Sequence, residues 1–331
     1  MKIFVAGATG TIGRRLVPLL VRAGHDVTGM TRSPRWSTLG VQGASAVAGD
    51  VYDRDRLFEL LASVRPEVVI DELSDLGPQL GPRAGDRSAA DRRIRTEGAR
   101  NLVDAAIAAG ARRVVAQSHV RAYAPTSGWV KRENDPLDLD DDAPPARRLD
   151  AEAVWRQEHL VLETPGIEGV ALRYGSLYGP GTPFAATGTL AEEFRQRRYP
   201  VIGDGKGMTS FAHVDDAVRA TVLALTAPVG VYNICDDRPA TEAEWVPFYA
   251  GLIGAPPPRH VLALASLAFG REQPAFRATR QRGASNAKAR VTLRWEPEYP
   301  AWREGFRAEA RRERAERARA VRRLREHAFA A

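Results

Sequence analysis

The chain begins with an apolar strand that runs directly into glycines, MKIFVAGATGTIG. Lys2 to Ala6 is a short apolar run of strand type, and Arg14 to Ala23 reads as an amphipathic helix. Between them Gly7, Gly10 and Gly13 fall in the spacing G-x-x-G-x-x-G. Such a turn asks for one residue without a Cβ to bend sharply, a second to admit a pyrophosphate, and a third for close helix–strand packing. The helix N-terminus then presents N–H groups and a positive dipole end to phosphates. Glycines alone say little, but a strand before them and a helix after them is the setting a dinucleotide site requires. Gly7, Thr9, Gly10, Thr11, Ile12 and Gly13 are therefore expected to cradle the phosphates of a nucleotide cofactor.

The next strand, His25 to Met30, runs into Thr31-Arg32-Ser33-Pro34-Arg35. An NAD site usually places an acid here for the ribose 2′-hydroxyl, whereas arginine suits a 2′-phosphate. No acid stands here, so Arg32 and Arg35 point to NADPH ahead of NADH. The opposing reading is a solvated arginine, since 48 residues are basic and only four of those are lysine. Strands at Ala44–Val47, Val68–Ile70 and Arg113–Ser118 then alternate with helical stretches, which implies parallel βαβ units. Asp50 and Val51, just past a strand, suit the adenine amine and ring. Asp50 is equally suited to cap the helix that begins near Asp53.

These segments, taken in order, resemble an extended or atypical short-chain dehydrogenase/reductase of the NAD-dependent epimerase/dehydratase kind. The resemblance is carried by GATGTIG at 7–13, GDVYD at 49–53, PEVVIDELS at 66–74 and TEGARNLVDAA at 96–106. It continues through RRVVAQSHVRAY at 112–123, LRYGSLYGPG at 172–181, FAHVDDAV at 211–218 and GVYNICDD at 230–237. It implies an α/β fold: a Rossmann-like doubly wound parallel sheet with a smaller C-terminal substrate-binding region. The expected division is a cofactor domain over 1–172, a mainly substrate-binding region over 173–305 that returns some strands to the sheet, and a basic helical tail over 306–331. By the same resemblance Asp50 and Val51 meet the adenine, and Leu73, Ser74, Gln117 and Tyr174 line the cofactor cleft. Gly175, Ser176 and Leu177 face the nicotinamide.

The departures from that family bear most on chemistry. Its catalytic Tyr-x-x-x-Lys is absent: the residues four after the eight tyrosines are Arg56, Ser127, Tyr178, Thr182, Gly203, Asp236, Ile253 and Arg303. Aligning the family's acidic residue with Glu158 puts Asp150 at the Tyr position and Val154 at the Lys position, and the family's Asn maps near Arg95. Counting back from Tyr123 gives Ser118 or His119 at the family's catalytic Ser/Thr. A histidine there can donate a proton near neutral pH; it can also simply bond a backbone carbonyl. A positioned acid contributes about 10² to 10⁴-fold, whereas holding hydride donor and acceptor in near-attack geometry contributes about 7–11 kcal/mol. Hydride transfer therefore survives the loss if the proton has another source: His119, Tyr123, Tyr174, Tyr178, a water, or a phenol of the substrate. Ser118, His119 and Tyr123 are the candidate catalytic residues. The last proton source is available in aromatic polyketides, and the chain resembles the angucyclinone-type polyketide ketoreductases, that of simocyclinone biosynthesis among them.

The stretch 124–150 holds four prolines and a dense acidic run, and is expected to be a long loop or lid with Trp129 available to cover a flat substrate. Pro183 to Pro200, with Phe184, is expected to form one wall of the substrate cleft. His213, Asp215 and Asp216 look like metal ligands in isolation, but the resemblance makes HVDD a joining element, and no metal is expected. A single cysteine, Cys235, excludes an intrachain disulfide and fits a reducing cytoplasm. No apolar stretch approaches a membrane span. Residues 301–331 carry +5 of the net +7, with ten arginines and five glutamates at helical spacing. That pattern reads as a solvated helix rather than a nucleic-acid surface. The function these observations imply is an NADPH-dependent ketoreductase acting on a bulky aromatic substrate, probed against two alternatives: a nucleotide-sugar epimerase/dehydratase and a non-catalytic NADP-binding regulator.

Overall fold

The computed structural model describes residues 1–32, 40, 43–75, 84–268 and 272–330. Arg35 lies outside them. Seven strands form one parallel sheet: β1 Lys2–Ala6, β2 Asp26–Thr31, β3 Ser45–Ala48, β4 Val68–Asp71, β5 Arg113–His119, β6 Glu168–Tyr174 and β7 Gly230–Ile234. Their spatial order is β7-β6-β5-β4-β1-β2-β3. Every pair is parallel, with Ile3 opposite both Val27 and Val68, and Ser118 opposite Arg173. The order reverses beside β1, between β1 and β4, where open α/β sheets bind ligands at the carboxyl ends of their strands.

Buried on both faces, the central strands read as continuous apolar runs. Ile3, Val5, Ile70 and Leu172 pack on one face against α1 Gly13–Arg22 and α7 Val214–Leu223. Phe4, Val69 and Val114 pack on the other against α2 Arg54–Val64, α4 Ala99–Ala108 and α5 Pro145–Glu163. Asp53, not Asp50, caps α2 by accepting from the Arg56 amide at 3.1 Å, which leaves Asp50 free for the cleft. α3 Ala84–Arg93 is followed by a π-helical turn at Ile94–Gly98 that carries Arg95 inward; such turns break the α register and re-aim side chains.

A separate aromatic core holds the C-terminal region: Tyr178, Phe194, Tyr199, Phe211, Trp245, Tyr249, Trp302 and Phe306. It is built around α6 Thr189–Arg195 and α8 Glu242–Leu252, with α9 Glu272–Thr279 nearby. The terminal helix, α10 Trp302–Ala330, begins inside this core rather than after it. Trp302 and Phe306 are buried, and Glu309 meets His213 Nε2 at 3.1 Å. The HVDD residues are joints, as the sequence implied. His213 caps α7, and Asp216 accepts from the Glu298 and Tyr299 amides and pairs with Arg219.

The 124–150 segment, expected as a long loop or lid, is irregular up to Pro144 apart from a two-residue strand and is tied down along its length. Val130–Lys131 pairs with Gly283–Ala284, the Lys131 ammonium is buried against Thr126 and Ser127, and buried Asp138 pairs with Arg147. Glu133 accepts from the Asn233 amide at 2.8 Å. Those bonds thread the segment into the body of the protein. Trp129 stacks with Arg282, 4.1 Å from its ring centre, and does not line the cleft.

Candidate active site

A cleft of about 840 Å³ opens at the carboxyl ends of β1, β2, β4, β5 and β6. At its floor the glycine turn is shaped as the spacing demands. Gly7 has φ +82°, and a Cβ there would stand 2.6 Å from the Glu72 carbonyl oxygen. A Cβ at Gly13 would collide with the Gly7 carbonyl and Ala8, so α1 sits against the turn only because that atom is missing. Gly10, by contrast, meets only Gly7 and leaves its outer side open to the cleft. The N-cap, Ile12, makes no side-chain capping bond and the first turn of α1 has no acid. The positive end of the helix is therefore uncancelled where Thr11 and Ile12 line the cleft. Thr9 is held by Thr31 at 3.2 Å, and Thr11 by the Gly181 carbonyl at 3.3 Å. These residues fit a dinucleotide: a bare backbone cradle beneath a helix N-terminus.

Arg32 reaches the cleft from the end of β2, and Asp50, Val51 and Tyr52 from the turn after β3. Asp50 also accepts from the Tyr52 amide at 3.0 Å. Leu73, Ser74, Gln117, Tyr174, Gly175, Ser176 and Leu177 all line the same cleft. Every cofactor candidate within the described residues thus lies at or beside it, although Gly13 acts through packing.

The candidate catalytic residues part company. Ser118 lines the cleft, but its hydroxyl donates to Glu158 at 2.6 Å. Arg173 grips the same carboxylate through Nε at 2.8 Å and Nη2 at 2.6 Å. The hydroxyl hydrogen therefore points into the protein. His119 also lines the cleft, with Nδ1 buried and without a hydrogen-bond partner among the described residues. Burial, then the nearby Arg121, Arg95 and Arg147, holds its imidazole well below the ordinary range. That favours the neutral ring at physiological pH and weighs against an imidazolium donor, one of the two roles the sequence left open. Tyr123 does not line the cleft. It is buried, its hydroxyl donating to Asn233 and accepting from Arg173, both at 2.8 Å, and burial pushes it up to about 12. The spacing from a Tyr motif placed it near the site; the turn Val120–Ala122 swings it out.

Asp150 and Val154 show the same loss of acid chemistry. Val154 is buried among Ala122 and Ala151, and Asp150 pairs with Arg92 at 2.7 Å. Arg95 is buried, bonded to Asp91 at 2.8 Å and to Gln157 at 2.7 Å. Tyr174 gives its hydroxyl hydrogen to Glu72 at 3.0 Å, with Thr221 at 2.7 Å. Sequence reasoning missed Glu72. It lines the cleft beneath the glycine turn, and burial pushes its carboxyl up to about 8. It also missed Arg121 and Arg277 in a chain where arginine is common. The far wall is aromatic and apolar, from Phe184, Leu190, Tyr199 and Trp245. The 183–200 segment supplies three of those four.

A nucleotide-binding doubly wound enzyme is what this fold and cleft define. Residues 3–235 match the family model described as the NAD dependent epimerase/dehydratase family. The chain belongs to that family and is a nicotinamide-dependent oxidoreductase-type enzyme. It is 41% identical over 309 residues to a Streptomyces 3-diazoavenalumate denitrifying reductase, covering 92% of this chain and 99% of that one. It is 29% identical to a Stenotrophomonas maltophilia 2-alkyl-3-oxoalkanoate reductase, over 77% of each chain. Among solved structures it is similar to the dTDP-glucose 4,6-dehydratase DesIV of Streptomyces venezuelae with NAD bound. There the TM-score is 0.73 at 19% identity, covering 96% of this chain and 98% of that one. Among the described residues no helix is long and apolar enough to cross a membrane.

Proposed function

We propose that this chain is an NADPH-dependent reductase of a bulky aromatic substrate, and that the group it reduces takes no proton from the protein. The observation that carries this is the end of β5, where the Ser118 hydrogen is spent on Glu158 at 2.6 Å. Neutral His119 beside it is no acid, and the sequence holds no Tyr-x-x-x-Lys. Carbonyl reduction consumes a hydride and a proton; reduction of an arenediazonium does not need the second. The nicotinamide, when bound in its reduced form, supplies a hydride. A diazonium that gains hydride at its terminal nitrogen becomes an aryl diazene. Its carbon–nitrogen bond then breaks, dinitrogen leaves, and the nitrogen-borne hydrogen passes to carbon. Cation plus hydride balances to arene plus dinitrogen. The diazo substrate named for the Streptomyces relative supports this class.

In this reading Gly7, Thr9, Gly10, Thr11, Ile12 and Gly13 hold the pyrophosphate, and Asp50 and Val51 the adenine. Leu73, Ser74, Gln117, Tyr174 and Gly175 to Leu177 line the nicotinamide side. Arg32 faces the 2′-phosphate, which sets NADPH ahead of NADH. Ser118 and His119 shape the reacting end as hydrogen-bonding groups rather than as acids. A second reading is ketoreduction of an aromatic polyketide in antibiotic biosynthesis, with the proton drawn from a phenol of the substrate. The aromatic wall and the oxoalkanoate reductase relative favour it. The nucleotide-sugar epimerase alternative needs a base at the oxidised hydroxyl, and the Tyr-x-x-x-Lys that supplies it in the family is absent from the sequence.

The test uses NADPH deuterated at the transferable position, with 3-diazonio-4-hydroxycinnamate and an ortho-hydroxyaryl ketone as substrates. Dinitrogen release with deuterium on the carbon that bore nitrogen is the expected result. Deuterium on a carbinol carbon alone would replace the first reading with the second. Tight NADPH binding without turnover of either would leave the chain as an NADP-binding regulator.

A further inference from the structure

Three arginines beside the reacting end of the cleft are each matched by one aspartate: Arg92 with Asp150, Arg95 with Asp91 and Arg147 with Asp138. A fourth, Arg121, is not. It lines the cleft half-buried, two residues past His119 in the Val120–Ala122 turn, and has no hydrogen-bond or ion-pair partner among the described residues. The carboxylates whose charge reaches it, Asp91 and Asp150, are already engaged by Arg95 and Arg92. Asp75 lines the same cleft without pairing with it. Its surroundings are rich in donors that lack acceptors: Arg95 Nη2 and Gln117 Nε2 are buried without partners among the described residues. A half-buried guanidinium with no counter-charge is costly to keep unless a ligand completes it.

We infer that Arg121 is the anchor for a carboxylate on the substrate, held bidentately so that the aromatic body lies along the cleft toward Phe184 and Trp245. This rests on the reading of the cleft as a reductase's substrate site and adds the chemical class of what enters. The cofactor is not the anion in question. Its phosphates belong to the glycine turn after β1, while Arg121 follows β5, with β4 between them; two strand spacings are about 10 Å. Nor does Arg277 serve, although it lines the opposite wall. Its Nε bonds Glu242 at 2.6 Å and its guanidinium stacks on Tyr199, so its charge is already answered. Arginine's planar fork matches a carboxylate in a way a lysine ammonium does not.

The experiment measures binding, not turnover. Protein saturated with NADP⁺ is titrated calorimetrically with 4-hydroxycinnamate and with its methyl ester, two unreactive stand-ins that differ in one charge. The wild type is expected to prefer the acid by about tenfold or more, equivalent to about 1.4 kcal/mol. Arg121→Gln is expected to erase that preference while leaving ester affinity and NADP⁺ affinity within about twofold, and Arg121→Lys to restore part of it. Equal binding of acid and ester by the wild type overturns the inference, as does a preference that survives in Arg121→Gln, or failure of the wild type to bind either probe. Should Arg121→Gln lose NADP⁺ binding, the Arg121→Lys variant decides the matter: a preference undiminished from the wild type overturns the anchor. A protein that prefers the acid through Arg121 yet does not reduce the diazonium would retain the anchor and lose only the proposed reaction.

Discussion

Glu72 offers a measurement whose sign follows from its burial. Its carboxyl lies under the glycine turn with Oε1 accepting from Tyr174 and Oε2 buried without a partner among the described residues. Burial lifts it from the ordinary 4.5 to about 8, so the folded protein keeps it protonated at neutral pH. Between those two values the native state holds a proton that the unfolded chain has released, and stability must fall as pH rises. The contribution is complete below pH 4.5 and gone once pH passes 8. At about 1.4 kcal/mol per pH unit, the interval of about 3.5 units amounts to about 5 kcal/mol, a large part of the 5–15 kcal/mol typical of a folded domain. Glu72→Gln keeps the shape and an acceptor for Tyr174 but cannot ionise. Urea unfolding at steps from pH 5 to 9 should show the variant gaining on the wild type by about 1.4 kcal/mol per unit, levelling off near pH 8. Asp71, which burial raises to about 6, is present in both proteins, and its charge adds to the rise at Glu72. The same ionisation places a charge beside the phosphate cradle, so wild-type affinity for NADP⁺ should weaken above pH 8 while Glu72→Gln holds steady. Parallel stability curves for the two proteins, or a carboxylate infrared band from Glu72 at pH 7, would refute the argument.

Ser118→Ala should keep kcat within about tenfold, because the hydroxyl is not the acid; a fall of about 10² to 10⁴-fold would return it to that role. Arg173→Ala should destabilise the fold by about 3–5 kcal/mol in denaturant titration, since it strands the buried Glu158 carboxylate. His119 is held neutral, so the unfolded chain takes up a proton below pH 6.5 that the native state does not. The wild type should therefore lose stability relative to His119→Gln as pH falls from 6.5, and a flat difference would count against that burial. Arg32→Ala should raise KM for NADPH about five- to tenfold and leave NADH kinetics unchanged; equal effects on both would remove Arg32 from the 2′-phosphate.

What sequence could and could not deliver here follows from the range of the interactions. The strand–turn–helix at 2–22 was legible because its constraints are local: a left-handed φ at Gly7 and missing Cβ atoms leave a direct mark on residue type. The boundaries of β1 to β5 came within a residue or so for the same reason, each being an apolar run closed by a turn. Ser118 and His119 were correctly placed at the end of a strand, but their chemistry was decided by side chains that belong to other elements or to the turn that follows. Glu158 takes the hydrogen of one, and Arg121, Arg95 and Arg147 crowd the other. Tyr123 failed through a three-residue turn whose direction no spacing rule encodes. The 124–150 segment looked like a lid because its prolines and acids are loop composition. Its partners, Ala284, Arg173 and Asn233, lie far along the chain. Arg121 is the sharpest case. In a chain with 48 basic residues, one more arginine carries no information by itself. It becomes informative only when Arg92, Arg95 and Arg147 have been paired off and it still faces the cleft uncompensated among the described residues, a property of the set that no member of it displays in sequence. A site that has given up its tyrosine and lysine but keeps an unpaired guanidinium has changed what it spends charge on. On the proposed reading it grips an anion instead of delivering a proton, an exchange that ties the missing acid to the nature of the substrate.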